Sequence, residues 1–208
     1  ENMPRFTDNF NRADGGLGSN WTALTGSWTI VSNQIRCNTA GAENFYRVSN
    51  GASYANDQDA LLTRAVVGQP AYQFQGVACR CAASGHTCYF AYIDSFGGWY
   101  FGLFNGGSYT EIGSGSNAPS AGDIYMIDAA GTTIRFRRDR GGTITTLSSG
   151  TNSTLTSGYP GIAGYDYSAA WAPMGYSDDF NGGDNVTASA SFPPIRAGKQ
   201  MYTSILTW

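Results

Sequence analysis

The sequence carries two matching stretches near its ends, Asp8-Asn9-Phe10-Asn11-Arg12 and Asp178-Asp179-Phe180-Asn181-Gly182. Each stretch centres one phenylalanine among polar neighbours, which is the pattern of a β segment that inserts a single ring into a core. Short strand-like runs, separated by Gly, Asn, Ser and Asp, fill the sequence between them. We therefore expect the two stretches to be neighbouring strands of one closed β-sandwich.

The composition is that of an all-β domain. The 208 residues include 28 Gly, 13 Tyr and 11 Phe, and only 13% of them are charged. No segment has a sustained helical period, so we expect an antiparallel jelly-roll sandwich of two sheets over residues 1–184. Strand-like runs lie at about 5–11, 26–31, 34–38, 59–67, 72–82, 88–94, 98–104, 108–113, 123–129, 132–138, 142–147, 158–165 and 174–180. These thirteen runs are enough for two six-stranded sheets.

The charge balance narrows the range of partners. A formal net charge of −3 provides no attraction to nucleic acid or to an anionic membrane. No run of 18 apolar residues exists, so we expect no membrane span. Four arginines crowd into one segment, at positions 135, 137, 138 and 140. We expect a solvated strand and turn there, with recognition of an anionic glycan or of a partner's carboxylate as the alternative.

The four cysteines are Cys37, Cys79, Cys81 and Cys88. A hairpin register would place Cys81 opposite Cys88, which favours a disulfide, with Cys79 on the same face and able to reach Cys37. Such a bridge would indicate an oxidising compartment. A zinc site that includes His86 is a rival, although two cysteines two apart in a strand hold their sulfurs roughly 6 to 7 Å apart. The third interpretation is that all four cysteines are reduced, buried thiols.

The last stretch, residues 185–208, differs from the rest. It contains Pro193-Pro194 and ends in an apolar run over 201–208. A double proline favours a stiff extended segment, so we expect an arm outside the sandwich. Residues 192–208 either fold back along their own sandwich or add a strand to a neighbouring subunit, which makes a homo-oligomer an open expectation.

Five short motifs follow one another over about residues 4–184. They are 6–12, 26–31 (Gly-Ser-Trp-Thr-Ile-Val), 134–136 followed by a Gly-Gly turn, 157–162 (Ser-Gly-Tyr-Pro-Gly-Ile) and 178–180. In this order they resemble the concanavalin A-like lectin/glucanase superfamily in its laminin-G-like bacterial and phage form. The resemblance implies a jelly roll with a convex and a concave sheet, and carbohydrate ligands on the concave face or in rim loops. The arm has a weaker similarity to phage structural and decoration proteins.

Catalysis is not expected. Hydrolases of that superfamily place their acids in a Glu-x-Asp-x-x-Glu pattern, because two carboxyls must flank one glycosidic bond. The glutamates here, Glu1, Glu43 and Glu111, are far apart in sequence. Asp57 and Asp59 share a face at the head of a strand, where we expect structural or surface carboxylates that solvent keeps ordinary.

Lyases of the superfamily use a histidine with a tyrosine. The single histidine, His86, falls in a predicted hairpin tip, and no Gly-x-Ser-x-Gly elbow accompanies it. We therefore interpret the chain as non-catalytic.

Aromatic residues in one segment suggest a sugar-binding site. The candidates are Tyr165, Asp166, Tyr167 and Trp171, to which Trp99, Tyr100 and Tyr109 would add if their strands face the same side. Rings can stack on a pyranose face while a carboxylate binds its hydroxyls. Ordinary packing of the rings is the alternative.

No cofactor is required by the sequence, but a structural calcium ion is a candidate. Its ligands would be Asp8, Asp178, Asp179, Asn181 and Asp184, which provide hard oxygens near the two ends. Capping and turn roles are the alternative for these side chains.

Two classes of function remain. One is a glycan-recognition module used in adhesion. The other is a surface-displayed structural protein, such as a phage capsid decoration or tail-associated subunit, and the arm favours this class. A secreted carbohydrate-binding module and a polysaccharide-degrading glucanase or lyase are the alternatives. We expect an extracellular location or a virion surface.

Overall fold

The structure, a computed structural model, describes residues 4–66, 73–167 and 177–184. These residues form fifteen strands and no helix, so this part of the chain has no helix that could cross a membrane. The strands are β1 (Arg5–Asp8), β2 (Trp21–Thr25), β3 (Trp28–Val31), β4 (Gln34–Cys37), β5 (Ala42–Val48), β6 (Gln58–Arg64), β7 (Gln73–Cys81), β8 (Cys88–Ile93), β9 (Gly98–Asn105), β10 (Ser108–Ser116), β11 (Ile124–Ala130), β12 (Thr133–Arg140), β13 (Thr143–Thr151), β14 (Tyr159–Asp166) and β15 (Ser177–Asp184).

Two antiparallel sheets form the predicted jelly-roll sandwich. The eight-stranded sheet has the order β13-β12-β11-β6-β15-β4-β3, with β1 paired to β15, and the seven-stranded sheet has the order β10-β9-β8-β7-β14-β5-β2. The strands β2 and β5 are absent from the sequence-based prediction. In β5, buried residues fall on both faces, so the strand lacks the alternation of apolar and polar residues that would reveal it.

The two phenylalanine-centred stretches meet, although the first is a strand only up to Asp8, and Phe10 follows the strand with a positive φ of 51°. β1 pairs with β15 in an antiparallel register that places Asp8 opposite Phe180. Phe10 and Phe180 are both buried, and the ring of Trp21 lies edge-on to Phe180 at 4.9 Å between ring centroids. One aromatic cluster therefore holds the two ends of the sandwich together.

The expectation for Asp59 is wrong. Asp59 lies opposite Asp128 in the register of β6 and β11, and both side chains are fully buried. Burial raises the pKa of Asp59 to about 6, although Arg5, at 2.6 Å, opposes the shift. Asp128 binds two members of the arginine-rich segment, Arg135 at 2.6 Å and Arg137 at 2.7 Å. These two arginines therefore neutralise a carboxylate of their own sheet.

Candidate functional site

The outer face of the seven-stranded sheet carries an unusual number of aromatic rings. Side chains alternate along β9, so Trp99 and Phe101 belong to the core between the sheets while Tyr100 lies on the outer face. An antiparallel sheet often leaves this face to polar residues. Here the outer face has its own cluster of buried apolar residues, which includes Phe45, Phe74, Phe90, Tyr92 and Phe104.

A cavity of about 280 Å³ opens within this aromatic face. Its lining, which we name the tyrosine cleft, consists of Glu43, Phe74, Tyr92, Tyr100, Tyr109, Tyr165 and Tyr167. Phe74 and Tyr92 are buried, with 6% and 7% of their surface exposed. Tyr100, Tyr109 and Tyr167 are 40%, 45% and 58% exposed. The cleft therefore has a buried floor and a solvent-exposed aromatic rim.

Contacts between the rings hold the cleft in shape. The Phe74 ring lies 5.0 Å from Tyr92 and 5.5 Å from Tyr100, measured between centroids. Tyr165 and Tyr167 meet edge to face at 4.6 Å. Each such pair adds about 0.5 to 1.5 kcal/mol beyond the burial of its area. The rim is therefore restrained before any ligand arrives.

Two glycines let these rings lie close to the sheet. A Cβ atom at Gly102 would come within 2.8 Å of a ring carbon of Tyr109. A Cβ atom at Gly76 would overlap the carbonyl oxygen of Ala91 and lie 2.7 Å from the Cα atom of Tyr92. Side chains at these two positions would therefore move the rim or the floor of the cleft.

Glu43 supplies the carboxyl group of the cleft. It lies on β5, directly opposite Tyr165 of β14. The Tyr92 hydroxyl donates a long hydrogen bond of 3.4 Å to Oε1 of Glu43, whereas Oε2 is buried and accepts no hydrogen bond. Burial raises the pKa of Glu43 to about 7, and the hydrogen bond from Tyr92 opposes part of this shift. Near neutral pH this carboxyl is therefore close to its midpoint of ionisation.

A second glutamate lies at the edge of the same face. The Tyr109 hydroxyl donates to Oε2 of Glu111 at 3.2 Å, and the Ser114 hydroxyl donates to Oε1 at 2.9 Å. Burial raises the pKa of Tyr109, and the charges of Glu111 and Glu43 raise it further. The fold thus brings two glutamates that are distant in sequence to one tyrosine.

The structure brings together some of the predicted sugar-site residues and separates others. Tyr109, Tyr165 and Tyr167 line the cleft, as does Tyr100. Trp99 does not, because it faces the core and packs edge-on to Phe136 at 5.6 Å. This placement corrects the expectation for Trp99.

Asp166 also requires correction. It is buried and does not line the cleft, and its charge raises the pKa of the Cys37 thiol in the core, a smaller effect than that of burial. Alternation along β14 accounts for this, since Tyr165 on one face implies Asp166 on the other. Trp171 lies outside the described residues.

Three residues of the cleft escaped the sequence-based prediction: Glu43, Phe74 and Tyr92. Glu43 lies on the unpredicted strand β5. β8 is apolar throughout, so its sequence does not show which face Tyr92 occupies. The alternation in β9, which already places Tyr100 opposite Trp99, was the available signal for the aromatic face.

The four cysteines are free, buried thiols, so the expected bridge between Cys81 and Cys88 is not formed. The two thiols are nevertheless in hydrogen-bond contact on the outer face. Cys79 is not on that face, because it faces the core like Val77 two residues earlier. The register shift at Arg80, which adopts a positive φ of 49°, turns Cys81 to the outer face instead. No group of three or more His, Cys, Asp or Glu within the described ranges could hold a metal ion.

The five candidate calcium ligands do not form one set. Asn181 accepts a hydrogen bond from Arg5 Nε at 2.9 Å, and Asp184 accepts one from the backbone of Ala55 at 2.6 Å. The Asp8 carboxylate is bound by Arg12 at 2.6 Å. Asp178 and Asp179 remain without an ion pair to any described residue. The five residues therefore do not fit a calcium ion as a set, and only the neighbouring carboxyls of Asp178 and Asp179 could bind one.

The sequence matches no protein-family model and no curated protein. The solved structures with a similar fold include the following three. The carbohydrate-binding module CBM66 from Bacillus subtilis superposes with a TM-score of 0.55 at 16% identity, over 82% of this chain and 95% of that module. The CBM2 module of the evolved Dit of Lactobacillus casei BL23 phage J-1 superposes with a TM-score of 0.54 at 14% identity, over 88% of this chain and 96% of that module. The exoplasmic/lumenal domain of VIP36, in its Ca²⁺/Man3GlcNAc-bound form, superposes with a TM-score of 0.57 at 11% identity, over 86% of this chain and 88% of that domain. This chain thus has the jelly-roll sandwich that is also found in carbohydrate-binding modules and lectin domains.

Proposed function

We propose that this chain is a non-catalytic carbohydrate-binding module and that the tyrosine cleft holds the sugar. The observation that carries the proposal is a cavity of about 280 Å³ with six aromatic rings and one carboxyl group, open on the outer face of the sandwich. Aromatic faces stack on the C–H face of a pyranose, and hydroxyl and carboxyl groups bind its hydroxyls. The fold shared with carbohydrate-binding modules supports this proposal.

The restraint of the rim favours binding. Ordering loose side chains costs roughly 0.5 to 1.5 kcal/mol each on association. Tyr100 and Tyr167 already contact Phe74, and Tyr109 already contacts Phe90 and Phe104. A sugar that stacks on these rings therefore meets groups that are already positioned.

The arrangement of the glutamates favours binding without turnover. Glycosidases need two carboxyl groups that flank one bond, one as an acid and the other as a nucleophile or base. Both oxygens of Glu111 already accept hydrogen bonds from side chains of its own strand. A polysaccharide-degrading enzyme remains the alternative, and release of sugar from a polymer by the purified protein would overturn the non-catalytic part of the proposal.

We further propose that the module is displayed on a virion surface or in another extracellular assembly, as a capsid decoration or tail-associated protein. The attachment would use residues 192–208, which lie outside the described residues and end in an apolar run. The similarity to a module of a phage Dit supports this context. A secreted module is the alternative. Deletion of 192–208 should abolish self-assembly or attachment to a partner, as seen in the mass in solution, and an unchanged mass would contradict the display proposal.

The binding proposal is tested with the variants Tyr109→Ala and Tyr167→Ala on a broad glycan array and by calorimetry with the best ligand. Loss of one stacked ring should weaken binding about tenfold, which corresponds to about 1.4 kcal/mol. The melting temperature should change little, because both side chains are largely exposed. Phe96→Ala is the matched control, since Phe96 is an exposed ring that does not line the cleft. Unchanged glycan retention by both tyrosine variants would contradict the proposal.

A further inference from the structure

The carboxyl group of the tyrosine cleft has no cationic partner in the part of the chain that the structure describes. Glu43 is the one charged side chain among the described residues that line it, so no Lys or Arg of this set faces the ligand. Arg47 lies on the same face of β5, but four residues along a strand correspond to about 13 Å. Its guanidinium donates to the Ala83 carbonyl and lies over the Tyr159 ring at 4.3 Å. The fold therefore leaves the Glu43 carboxylate without a cation.

One oxygen of Glu43 also lacks a hydrogen-bond donor. Oε2 is buried and unpartnered, and the hydrogen bond to Oε1 is long at 3.4 Å. A buried acceptor that no donor reaches costs about 1 to 3 kcal/mol, and more when it is charged. A positive charge in the cleft would offset this cost electrostatically, without contact with the buried Oε2. A charged donor binds a carboxylate roughly twice as strongly as a neutral one.

The rings around Glu43 favour a positive charge for a separate reason. The face of an aromatic ring is electronegative and attracts an ammonium group within about 6 Å of its centroid. Phe74, Tyr92, Tyr165 and Tyr167 surround the same cavity as the carboxyl group. A cation at this position would thus contact both a carboxylate and several ring faces. A sugar carboxylate would be repelled by Glu43.

From these contacts we infer that the ligand of the tyrosine cleft is a glycan with an unacetylated amino sugar, whose ammonium group is attracted by the charge of the Glu43 carboxylate while its ring stacks on the tyrosines. This inference rests on the proposed function, because it specifies the sugar that the same cleft binds. A quaternary ammonium would satisfy the rings but has no hydrogen to donate. An N-acetylated amino sugar can donate one hydrogen but carries no charge.

The ionisation of Glu43 gives the interaction a pH dependence. Burial raises the pKa of Glu43 to about 7, so below this pH the empty cleft holds a neutral carboxyl. The titratable groups that line the cleft with Glu43 are the phenols of Tyr92, Tyr100, Tyr109, Tyr165 and Tyr167, and Glu111 lies at the edge of the same face. The thiols of Cys37 and Cys88 also lie within reach of its charge. The charge of Glu43 raises the pKa of Tyr92 and of both thiols, in each case in addition to burial, so these three groups stay neutral in this range. Affinity for an ammonium group should therefore rise with pH until Glu43 is ionised.

The test is calorimetric titration with three oligosaccharides: a glucosamine oligomer, its N-acetylated counterpart and a galacturonic acid oligomer. At pH 7 and low salt, where Glu43 is about half ionised and the ligand amine still carries part of its protons, the glucosamine oligomer should bind about tenfold more tightly than the N-acetylated one. The ratio should shrink at pH 5.5. Glu43→Gln should bring the ratio close to one. Asp14→Asn is the control for net charge and should keep the ratio, since Asp14 lies in an exposed turn and bonds to Ser32 of the other sheet.

The outcomes separate the two proposals. Equal binding of the glucosamine and N-acetylated oligomers, or tighter binding of the acidic one, would overturn the inference and leave the carbohydrate-binding function standing. Tighter binding of tetramethylammonium than of the glucosamine oligomer would show that the cleft selects a cation and not an amino sugar, and would overturn the inference. Absence of binding to every glycan on a broad array would overturn the inference together with the proposed function.

Discussion

Asp178 lies beside Asp179 on β15, partly buried and without an ion pair to any described residue. Burial raises the pKa of Asp178 to about 6, and the charges of Asp179 and Asp8 add to the shift. Burial likewise raises the pKa of Asp59 to about 6 and that of Glu43 to about 7. These carboxyl groups hold their protons more tightly in the folded protein than in the unfolded chain.

The stability of the protein should therefore fall as the pH rises through this range. A group with a raised folded pKa binds more proton in the folded state, so the free energy of unfolding decreases between the two pKa values. For Asp178 the window runs from 3.8 to about 6. We expect urea denaturation to show higher stability at pH 5 than at pH 8, and Asp178→Asn to stabilise the protein more at pH 8 than at pH 5. Asp14→Asn is the control, because Asp14 accepts the same kind of backbone hydrogen bond in an exposed turn. A larger gain at pH 5 would contradict this assignment.

The variant Asp178→Asn also tests whether calcium binds at Asp178 and Asp179. A divalent cation at Asp178 and Asp179 would offset their repulsion and bind only the folded state, which raises stability. We expect calcium at pH 8 to raise the melting temperature of the wild type, a chelator to reverse the effect, and Asp178→Asn to lose it. No shift with calcium or with chelator would show that the calcium prediction is wrong.

At the scale of elements, the pairing of β7 with β8 builds the floor of the cleft. Gly76 lies opposite Tyr92 in this pair, where any side chain would overlap the backbone of β8. Overpacking at such a site costs about 1 to 3 kcal/mol. We expect Gly76→Ala to lower the free energy of unfolding by this amount, measured in urea, and to weaken glycan binding because Tyr92 moves. Gly16→Ala is the matched control, since a Cβ atom there meets nothing within 4 Å. Equal stability of the two variants would mean that the strands can separate at little cost.

At the scale of the whole molecule, the two ends of the sandwich are adjacent. Arg5 lies opposite Gly183, and the backbone nitrogen of Asp184 donates to the carbonyl of Pro4 at 3.1 Å. A two-residue Asn-Gly turn would join such a pair as a hairpin. We therefore predict that a circular permutant that links 184 to 4, omits 185–208 and opens at Gly141–Gly142 folds with nearly native stability and still binds glycan.

The control for this permutant opens the chain between Val77 and Ala78, in the middle of the fully buried strand β7. This version should fail to fold, as judged by circular dichroism and by its melting transition. If the first permutant also fails, residues 185–208 or the original termini contribute to the fold, and residues 4–184 are not a complete folding unit.

Local patterns in the sequence were sufficient for the architecture and for part of the cleft. Alternation and turn residues predicted an all-β sandwich and the strand that carries Tyr165. The Ser32-Asn33 turn between β3 and β4 adopts the positive φ values of a tight hairpin, 51° and 63°. These features depend on neighbouring residues, so the sequence by itself determines them.

Only the tertiary structure decided which side chains share the cleft. Glu43 faces Tyr165 because β5 pairs with β14, more than a hundred residues later, and Trp99 and Asp166 turn away because each strand has two faces. The burial that shifts the pKa of Asp59 and of Glu43 also arises from strands distant in sequence. Alternation tells which residues share a face of one strand, but the pairing of distant strands determines what that face meets.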